Sequence, residues 1–496
     1  MTPSAAAQIA ARLDRLPSSR TIWTIIVLIS FGGVFEFYDL FLTAYVAPGM
    51  IHSDMFTPRS LGFFSSLELV RVSGFGTFVF CTFAGLWVGV VAFAHTADRF
   101  GRKAVFTWSL MWYVAATAVM AFQGTGQWIN VWRFVAGVGF GVQLVTVDTY
   151  IVELTPPALR GRAFCVNQCI CFGIVPVVAL LSWLLLTSAP LGWDGWRWVV
   201  LIGSVGAVAV WALRAGIPES PRWLAARGRV DEAERIVEAL ERRVAAEPGI
   251  AAHLCGAGES GGTAKSGVAA KSGVAAYRLG VPGAAAPVRI EPERRARLAD
   301  IFAPRYRGRT LMLSIFNAAQ VIGFYGFNSW LPTLLTARGI NLTHGLEYAF
   351  IIAIAQPVGP LLGTLFADRI ERKTQILAGL ACMGAAMAAF AIATSPTVLI
   401  SLGIVFTLAA NVMSYAYHGY QAELFPTRIR SRAVGFAYSW SRLAAAFAGL
   451  IVGFLLADGG VPAVAAFIGA AMVVGIAVIG IFGPSTRGVA LEQLND

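Results

Sequence analysis

The residues with the clearest potential for chemistry are two carboxyl groups inside an apolar run over residues 22–47. Glu36, Asp39 and Thr43 lie at i, i+3 and i+7, so a helix would place them on one face. A charged group within a membrane span costs at least about 2.5 to 3.5 kcal/mol on insertion scales, so each such residue is expected to have a structural or functional role. Two acids one turn apart favour protonation of one of them, which suits a proton-binding site. The alternative is that the acids only pair with Arg133 and stabilise the helices.

Arg133 is the basic residue that completes this group, in an apolar run over residues 128–151. The depths of Arg133 and Asp39 in their runs permit a contact, and movement of that pair would couple protonation to conformation. On the helical stripe of Arg133 lie Gly137, Phe140, Leu144 and Asp148. We therefore predict that proton coupling involves Glu36, Asp39, Arg133 and Asp148.

Polar side chains at helical spacing in the second half of the chain predict a substrate cavity. Arg442 lies near the middle of an apolar run, and the acids Asp368 and Glu423 lie only at the ends of such runs. That shortage of carboxylates favours an anionic substrate as the partner of Arg442. For His418, a packed or hydrogen-bonded histidine is the alternative to a ligand. The predicted substrate-binding residues are Asn317, Gln320, Tyr325, Asn328, Trp330, Asn411, Tyr415, His418 and Arg442.

The composition predicts the elements that must position these residues. The chain has 496 residues, of which 57% are hydrophobic and 13% charged, and its mean hydropathy is +0.68. Soluble domains carry about 25% charged residues, so an ordinary soluble enzyme is excluded. Long unbroken apolar runs exclude a membrane β-barrel, whose strands alternate between apolar and polar residues. We predict an all-α membrane protein with twelve transmembrane helices.

The charge pattern predicts an orientation in the membrane. The net charge is +11, and most of the 38 Lys and Arg residues fall in the terminal tails and even-numbered loops. This pattern predicts cytoplasmic termini in a plasma (inner) membrane protein. It attributes the basic net charge to membrane topology rather than to a nucleic-acid partner. The six cysteines are predicted to be free thiols. We find no phosphate-binding loop or metal-ligand cluster, so we predict neither an enzyme nor a cofactor.

Two motifs recur at the same offset of 270 residues and indicate an internal duplication. Asp98–Lys103 reads DRFGRK and Asp368–Lys373 reads DRIERK, while Glu153–Ala163 (ELTPPALRGRA) corresponds to Glu423–Ala433 (ELFPTRIRSRA). Two pseudo-symmetric halves of six helices each follow from this offset. The predicted halves span residues 1–217 and 308–496.

The stretch 218–307 between the halves is predicted to be a cytoplasmic linker. It begins with a polar pattern typical of a surface helix and continues as a Gly, Ala and Ser tract that contains AKSGVA twice. We expect that tract to be disordered. Charged residues at the helix ends predict a cytoplasmic gate that breaks when the halves rock; for its Arg residues the alternative is a purely topogenic role. The predicted gate residues are Asp98, Arg99, Arg102, Glu153, Arg160, Asp368, Arg369, Glu423 and Arg428.

These motifs resemble those of the major facilitator superfamily of secondary transporters. The signature after the second span is matched by Asp98, Arg99, Gly101, Arg102 and Lys103, the span-four signature by Arg133, Gly137 and Gly139, and PESPRWL at Pro218–Leu224 resembles sugar porters and their metabolite-transporting relatives. The resemblance implies two halves around a substrate site at the membrane midplane.

Within that superfamily, Glu36 to Asp39 and the stretch Phe324–Leu335 resemble aromatic-acid and niacin-type proton symporters. Sugar porters favour a double Gln in the seventh span, and here only Gln320 is present. We therefore predict a monomeric, proton-coupled importer of a small organic anion, an aromatic or heteroaromatic carboxylate such as a benzoate- or niacin-like compound, in the lipid bilayer. The alternatives are a sugar/proton symporter, a drug or metabolite exporter, and a non-transporting membrane receptor of the same fold.

Overall fold

The described part of the chain is a helical bundle. A computed structural model describes residues 5–63, 74–93, 96–213, 217–248, 250, 298–367 and 370–486. Within these ranges the chain is mostly helical and contains no β-strand. Ten of the described helices are long and apolar enough to cross a membrane.

The last apolar helix accounts for two spans. Its apolar part, Arg432–Phe482, has 51 residues. At 1.5 Å per residue it is about 76 Å long, more than twice the roughly 30 Å of a bilayer core. The chain turns at Gly460, whose φ of 63° favours glycine, and Pro462 follows two residues later. With the shorter apolar helix Gly195–Leu213, the described ranges hold twelve spans, which confirms the predicted bundle.

The first half contributes six membrane helices. Their bounds are α1, Arg20–His52; α2, Gly74–Phe93; α3, Arg102–Ala121; α4, Gly126–Leu154; α5, Arg160–Phe172 continued by Val175–Leu185; and α6, Gly195–Leu213. Short helices lie at Pro58–Leu61, Thr96–Phe100, Pro157–Leu159 and Pro190–Gly192. The side chain of Ser19 accepts a hydrogen bond from the Ile22 N–H and so caps the start of α1.

The second half repeats this arrangement. Its helices are α7, Arg307–Asn328 continued by Leu331–Ala337; α8, Leu342–Ala353 continued by Val358–Ala367; α9, Arg372–Ile392; α10, Pro396–Glu423; α11, 427–459; and α12, 461–482. After its break α7 restarts at Leu331, and Pro332 fits this first turn because the N–H that proline lacks would have no partner within the helix there. The short helix Leu298–Phe302 precedes α7.

Three surface helices define what we call the linker face. They are Ala5–Asp14, Pro221–Ala226 and Val230–Ala245. Arg12 donates to both carboxylate oxygens of Glu241, at 2.9 and 2.6 Å, and this hydrogen bond raises the pKa of the Arg12 guanidinium. Arg222 pairs with Asp14 at 2.5 Å and joins the amino-terminal helix to the linker. The tract predicted to be disordered lies outside the described residues, and the domain boundaries stay predictions.

Helices α2 and α4 cross at backbone distance because glycines face each other. A Cβ on Gly89 would lie 2.2 Å from the Val138 carbonyl oxygen, and one on Gly141 would lie 2.2 Å from the Leu86 oxygen. One turn earlier, a Cβ on Gly85 would lie 2.3 Å from the Phe134 carbonyl oxygen. Small residues spaced four apart let membrane helices approach closely. This crossing holds α4, and with it Arg133, against α2.

We expect Gly89→Ala to destabilise the bundle. The added methyl group meets backbone atoms that cannot move independently, and overpacking of this kind costs about 1 to 3 kcal/mol. Gly435→Ala in α11 is the matched control, since a Cβ there meets no atom within 4 Å. Thermal unfolding of both variants in detergent is the measurement. Equal midpoints for the two variants would contradict the close crossing.

Candidate functional site

A cavity of about 100 Å³ lies between the two halves of the bundle. Helices α1, α2, α4 and α5 line it from the first half, and α7, α10 and α11 line it from the second half. Pairs of lining residues 270 positions apart place the cavity on the axis of the duplication. These pairs are Leu144 and Ser414, Val147 and Tyr417, Gln168 and Tyr438, Cys171 and Ser441, and Phe172 and Arg442.

Arg442 is the cation of the cavity and is only 4% exposed. Its Nη1 donates to the Tyr325 hydroxyl at 3.0 Å, and its Nη2 donates to the Tyr438 hydroxyl at 2.6 Å. The guanidinium carbon also lies 4.8 Å from the centroid of the Tyr438 ring, which is a cation–π distance. Its Nε has no hydrogen-bond partner among the described residues, and no described carboxylate forms an ion pair with it. Neutral groups therefore hold this buried positive charge.

Arg133 is compensated in the opposite way, by an acid. Its Nη1 pairs with Asp39 Oδ2 at 2.8 Å, and its Nη2 donates to the Asp39 carbonyl oxygen at 2.7 Å and to Thr43 Oγ1 at 2.5 Å. Its Nε donates to Thr82 Oγ1 of α2 at 2.9 Å, and Thr117 of α3 donates to Asp39 Oδ1 at 3.3 Å. The pair joins α1 to α4 behind the wall of the cavity, because neither partner lines it.

Glu36 and Asp39 have different surroundings although they lie only one turn apart. Glu36 lines the cavity and is 2% exposed, whereas Asp39 faces α3 and α4. An offset of three residues rotates a side chain by about 60° around a helix, which is enough to separate two environments. The side chain of Asp148, the fourth residue predicted for proton coupling, lies outside the described part of the structure.

The predicted substrate residues divide into two groups. Gln320, Tyr325, His418 and Arg442 line the cavity. The remaining five do not line it. Their contacts are Asn317 Nδ2 to the Leu313 oxygen at 2.9 Å, Asn328 Oδ1 from Gln356 at 2.8 Å, Asn411 Nδ2 to Gln356 Oε1 at 2.9 Å, Trp330 against the Phe75 ring at 4.6 Å, and Tyr415 beside Gly363.

The sequence pattern missed most of the hydroxyl and aromatic lining of the cavity. Tyr438 lies four residues before Arg442 on α11, so helical spacing could have identified it. Tyr417 and Ser414 lie on the same helix as His418. The Nδ1 atom of His418 lies 2.7 Å from the backbone carbonyl oxygen of Ser414. Asn167, Gln168 and Cys171 of α5 also line the cavity, and the sequence pattern did not identify them.

The duplicated motifs form equivalent ion pairs near the linker face. Arg102 donates to Glu153 at 2.9 Å, and Arg372 pairs with Glu423 at 2.6 Å, so the two pairs are related by the 270-residue repeat. Glu219, from the PESPRWL motif, accepts the backbone N–H of Arg102 at 3.1 Å. Neither Arg372 nor Glu219 was among the predicted gate residues.

The other predicted gate residues take separate positions. Arg160 lies 3.7 Å from Asp14 of the amino-terminal helix, and Arg99 is exposed, with its guanidinium 5.3 Å from the Phe100 ring. The side chains of Asp98 and Arg428, and the residues Asp368 and Arg369, lie outside the described part of the structure. The role of all these residues as a gate stays a prediction.

Aromatic contacts join the two halves. Phe75 meets Trp330 and Phe83 meets Tyr325, each with ring centroids 4.6 Å apart, and Trp183 stacks on Phe350 at 5.9 Å. By contrast, the ion pairs Arg102–Glu153 and Arg372–Glu423 each remain within one half. Tyr325 belongs both to the inter-half contact and to the surroundings of Arg442.

The sequence is similar to known transporters over nearly its whole length. The family model described as "Sugar (and other) transporter" matches residues 25–253 and 293–496. The putative metabolite transport protein YyaJ of Bacillus subtilis is 27% identical, with 96% of each chain covered. The niacin transporter NiaP of Acinetobacter baylyi is also 27% identical, over 98% of this chain and 99% of its own.

A solved structure has the same fold. The xylose transporter XylE of E. coli, in a partially occluded inward open conformation, matches with a TM-score of 0.70 at 20% identity. The match covers 95% of this chain and 100% of that chain. The family model covers most of the sequence, and the twelve described spans agree with it. The chain therefore belongs to the sugar (and other) transporter family of the major facilitator superfamily, and it is a membrane transporter rather than an enzyme.

Proposed function

We propose that this transporter imports a small organic acid with an aromatic or heteroaromatic ring, coupled to protons, by alternating access. The observation that carries the proposal is the surroundings of Arg442. A buried guanidinium that is held by two tyrosine hydroxyls and by no described carboxylate is a receptor for an anion. A substrate carboxylate supplies the missing negative charge, and Nε remains available as a further donor.

The size and walls of the cavity support a single-ring substrate. Its volume of about 100 Å³ is below the roughly 300–1,000 Å³ of sites for drug-sized ligands. Rings of Phe37, Phe172, Phe324 and Tyr417 line it, and such rings stack on flat ligands. The similarity to a niacin transporter over nearly the whole chain is consistent with a ring carboxylate.

A sugar is a weaker candidate because several amides of the second half are already engaged. Gln356 donates a hydrogen bond to Asn328 at 2.8 Å and accepts one from Asn411 at 2.9 Å, and all three amides lie outside the cavity lining. Sugar recognition requires polar groups that converge on many hydroxyls, and the amides that line the cavity are Gln320 from the second half and Asn167 and Gln168 from the first.

The acids of α1 are the proposed route for the proton. Asp39 is neutralised by Arg133, so protonation of Asp39 would release a buried guanidinium and favour a different helix arrangement. Glu36 lies on the same helix and faces the substrate cavity. We propose that the helix ends joined by the Arg102–Glu153 pair in the first half and by the Arg372–Glu423 pair in the second half form the gate at the linker face. We assign this face, together with both termini, to the cytoplasmic side of the inner membrane. The proposed working unit is a monomer.

Uptake into proteoliposomes tests the proposal directly. We expect labelled benzoate or pyridine-3-carboxylate to accumulate when the vesicle interior is more alkaline than the medium, and not when the two pH values are equal. Protein-free vesicles correct for passive entry of the neutral acid. Accumulation of a sugar with no response to either acid would replace this proposal with sugar/proton symport, and binding without uptake would indicate a receptor.

Arg442→Lys tests the anion contact. Lysine keeps the charge but loses the planar fork, so a carboxylate should lose a contact worth on the order of 1.5 to 3 kcal/mol, or about 10- to 150-fold in affinity. The amide analogue should lose much less, because it lacks two equivalent charged oxygens. Binding of acid and amide to wild type and variant is the measurement. Equal losses for both ligands would mean that Arg442 supports the bundle.

Asp39→Asn tests the coupling pair. Without the carboxylate, Arg133 becomes a buried cation that has lost the acid of its ion pair. We expect gradient-driven accumulation to be abolished, while exchange of internal for external substrate is partly retained. Both are measured in the same vesicles. Full accumulation by the variant would contradict the assignment.

A further inference from the structure

We infer that a pocket at the end of the bundle opposite the linker face binds an organic cation, and that the bound cation holds the two halves together there. The pocket has a volume of about 400 Å³, which falls within the roughly 300–1,000 Å³ of sites for small organic ligands. It is separate from the central cavity, since no described residue lines both. The inference therefore goes beyond the proposed function, which concerns the substrate of that cavity.

The position of the pocket follows from the course of α1. This helix begins near the linker face, where the backbone N–H of Arg20 donates to Glu247 at 2.8 Å. It has 33 residues and is about 50 Å long, so its last residue, His52, lies at the opposite end of the bundle. Both halves line the pocket at that end. The residues used in the argument are Ile51, Asp54, Phe56 and Phe75 from the first half and Trp330 and Leu456 from the second.

Three aromatic side chains form a row along this pocket. The rings of Phe56 and Phe75 have centroids 6.0 Å apart, and those of Phe75 and Trp330 meet edge to face at 4.6 Å. The faces of aromatic rings attract positively charged nitrogen, and proteins use sets of such rings to bind quaternary ammonium groups. Ile51 and Leu456 add apolar surface beside the rings. The lining therefore favours a cation with an apolar body.

The charge of the pocket favours the same class of ligand. Asp54 lines the pocket and is exposed, and the described lining contains no lysine or arginine. Asp458, which follows the lining residue Ala457, is a second exposed acid at this end of α11. Arg59 is the nearest described arginine in the sequence and lies outside the lining. Because Asp54 repels a carboxylate, the pocket is not a second site for the proposed substrate.

Binding at this site depends on the arrangement of the two halves. Phe75 of the first half meets Trp330 of the second, and one turn further along α2, Val79 lies 2.5 Å from the position of a Cβ on Gly449 of α11. When this end of the bundle opens, the two groups of lining residues separate and the site is no longer complete. A cation that binds only the closed arrangement therefore stabilises it at the expense of the open one.

Equilibrium binding of labelled benzyltrimethylammonium to the purified transporter in detergent tests the charge contact. This probe is a permanent cation, and neopentylbenzene is its uncharged isostere. Asp54→Asn should weaken binding of the cation by about two- to fivefold at low ionic strength, the value of an exposed ion pair, and leave the isostere unaffected. Asparagine suits this position, since the φ of Asp54 is 56° and asparagine adopts a positive φ more readily than most residues.

Phe56→Leu tests the aromatic contact in the same assay. Leucine keeps apolar bulk but loses the ring face, so binding of the cation should weaken by about two- to fivefold and binding of the isostere by less. Asp231→Asn is the matched control, because Asp231 is an exposed acid on a helix of the linker face. Glu36→Gln removes an acid from the central cavity and should also leave binding of the cation unchanged.

Inhibition of uptake is a second readout, and it alone rests on the proposed function. At ten times its Kd, external benzyltrimethylammonium should lower the maximal rate of benzoate uptake by up to about tenfold, because it reduces the population that is open at this end by about that factor. Saturating benzoate should not restore the rate, since the two ligands bind at different sites. Asp54→Asn should require about two to five times more of the cation for the same inhibition.

The outcomes separate a failure of the inference from a failure of the proposed function. If either pocket variant binds the cation as the wild type does, or if Asp54→Asn weakens the isostere as much as the cation, the inference is overturned. Loss of binding in Glu36→Gln, or recovery of uptake at saturating benzoate, would place the cation in the central cavity and overturn it as well. If benzoate is not taken up at all, the proposed function fails, and the binding measurements still decide the inference.

Discussion

The structure depends on the cost of placing a charge inside a membrane. Each buried guanidinium has a distinct means of compensation. Arg133 has the carboxylate of Asp39, Arg102 has Glu153 near the linker face, and Arg442 has only phenol hydroxyls and an aromatic face. The first two arrangements are complete within the protein, whereas the third is electrically incomplete. In the proposed function a transporter uses such an incomplete site, because the missing charge arrives and leaves with the substrate.

The duplication gives both halves the same helix arrangement, and differences between equivalent residues give the two walls of the cavity different chemical properties. The Arg102–Glu153 pair is repeated as Arg372–Glu423, which keeps equivalent helix ends joined in both halves. At the cavity the equivalent positions differ: Phe172 stands where the second half has Arg442. The first half therefore presents a mostly apolar surface with the acid Glu36 and the amides Asn167 and Gln168, while the second half presents the cation and hydroxyl groups. A ligand in this cavity would therefore contact chemically different surfaces of the two halves.

Features that the bilayer imposes could be predicted from the sequence. Hydropathy predicted twelve spans because every backbone group in lipid must be bonded within its own helix. The Asp39–Arg133 contact was predictable because the cost of two buried charges leaves few solutions. The positions of Asn328 and Asn411 were not, since helical spacing fixes a shared face but not the element that covers it. Both amides meet Gln356 of the break between the two parts of α8, which no spacing on α7 or α10 indicates.

Side-chain direction near helix breaks was equally beyond the sequence. Trp330 continues the polar stripe of α7 in the sequence, but the helix ends at Asn328 and restarts at Leu331, and Trp330 packs against Phe75 of the other half instead. The same end of α7 carries Tyr325, which contacts Phe83 of α2 and accepts a hydrogen bond from Arg442. A carboxylate that draws the guanidinium away from the tyrosine hydroxyl therefore acts on a residue of the inter-half contact. Glycines hold α2 against α4, and Arg133 ties α4 to α1, so in the proposed function a change at Tyr325 would have to move these three helices together rather than one helix alone.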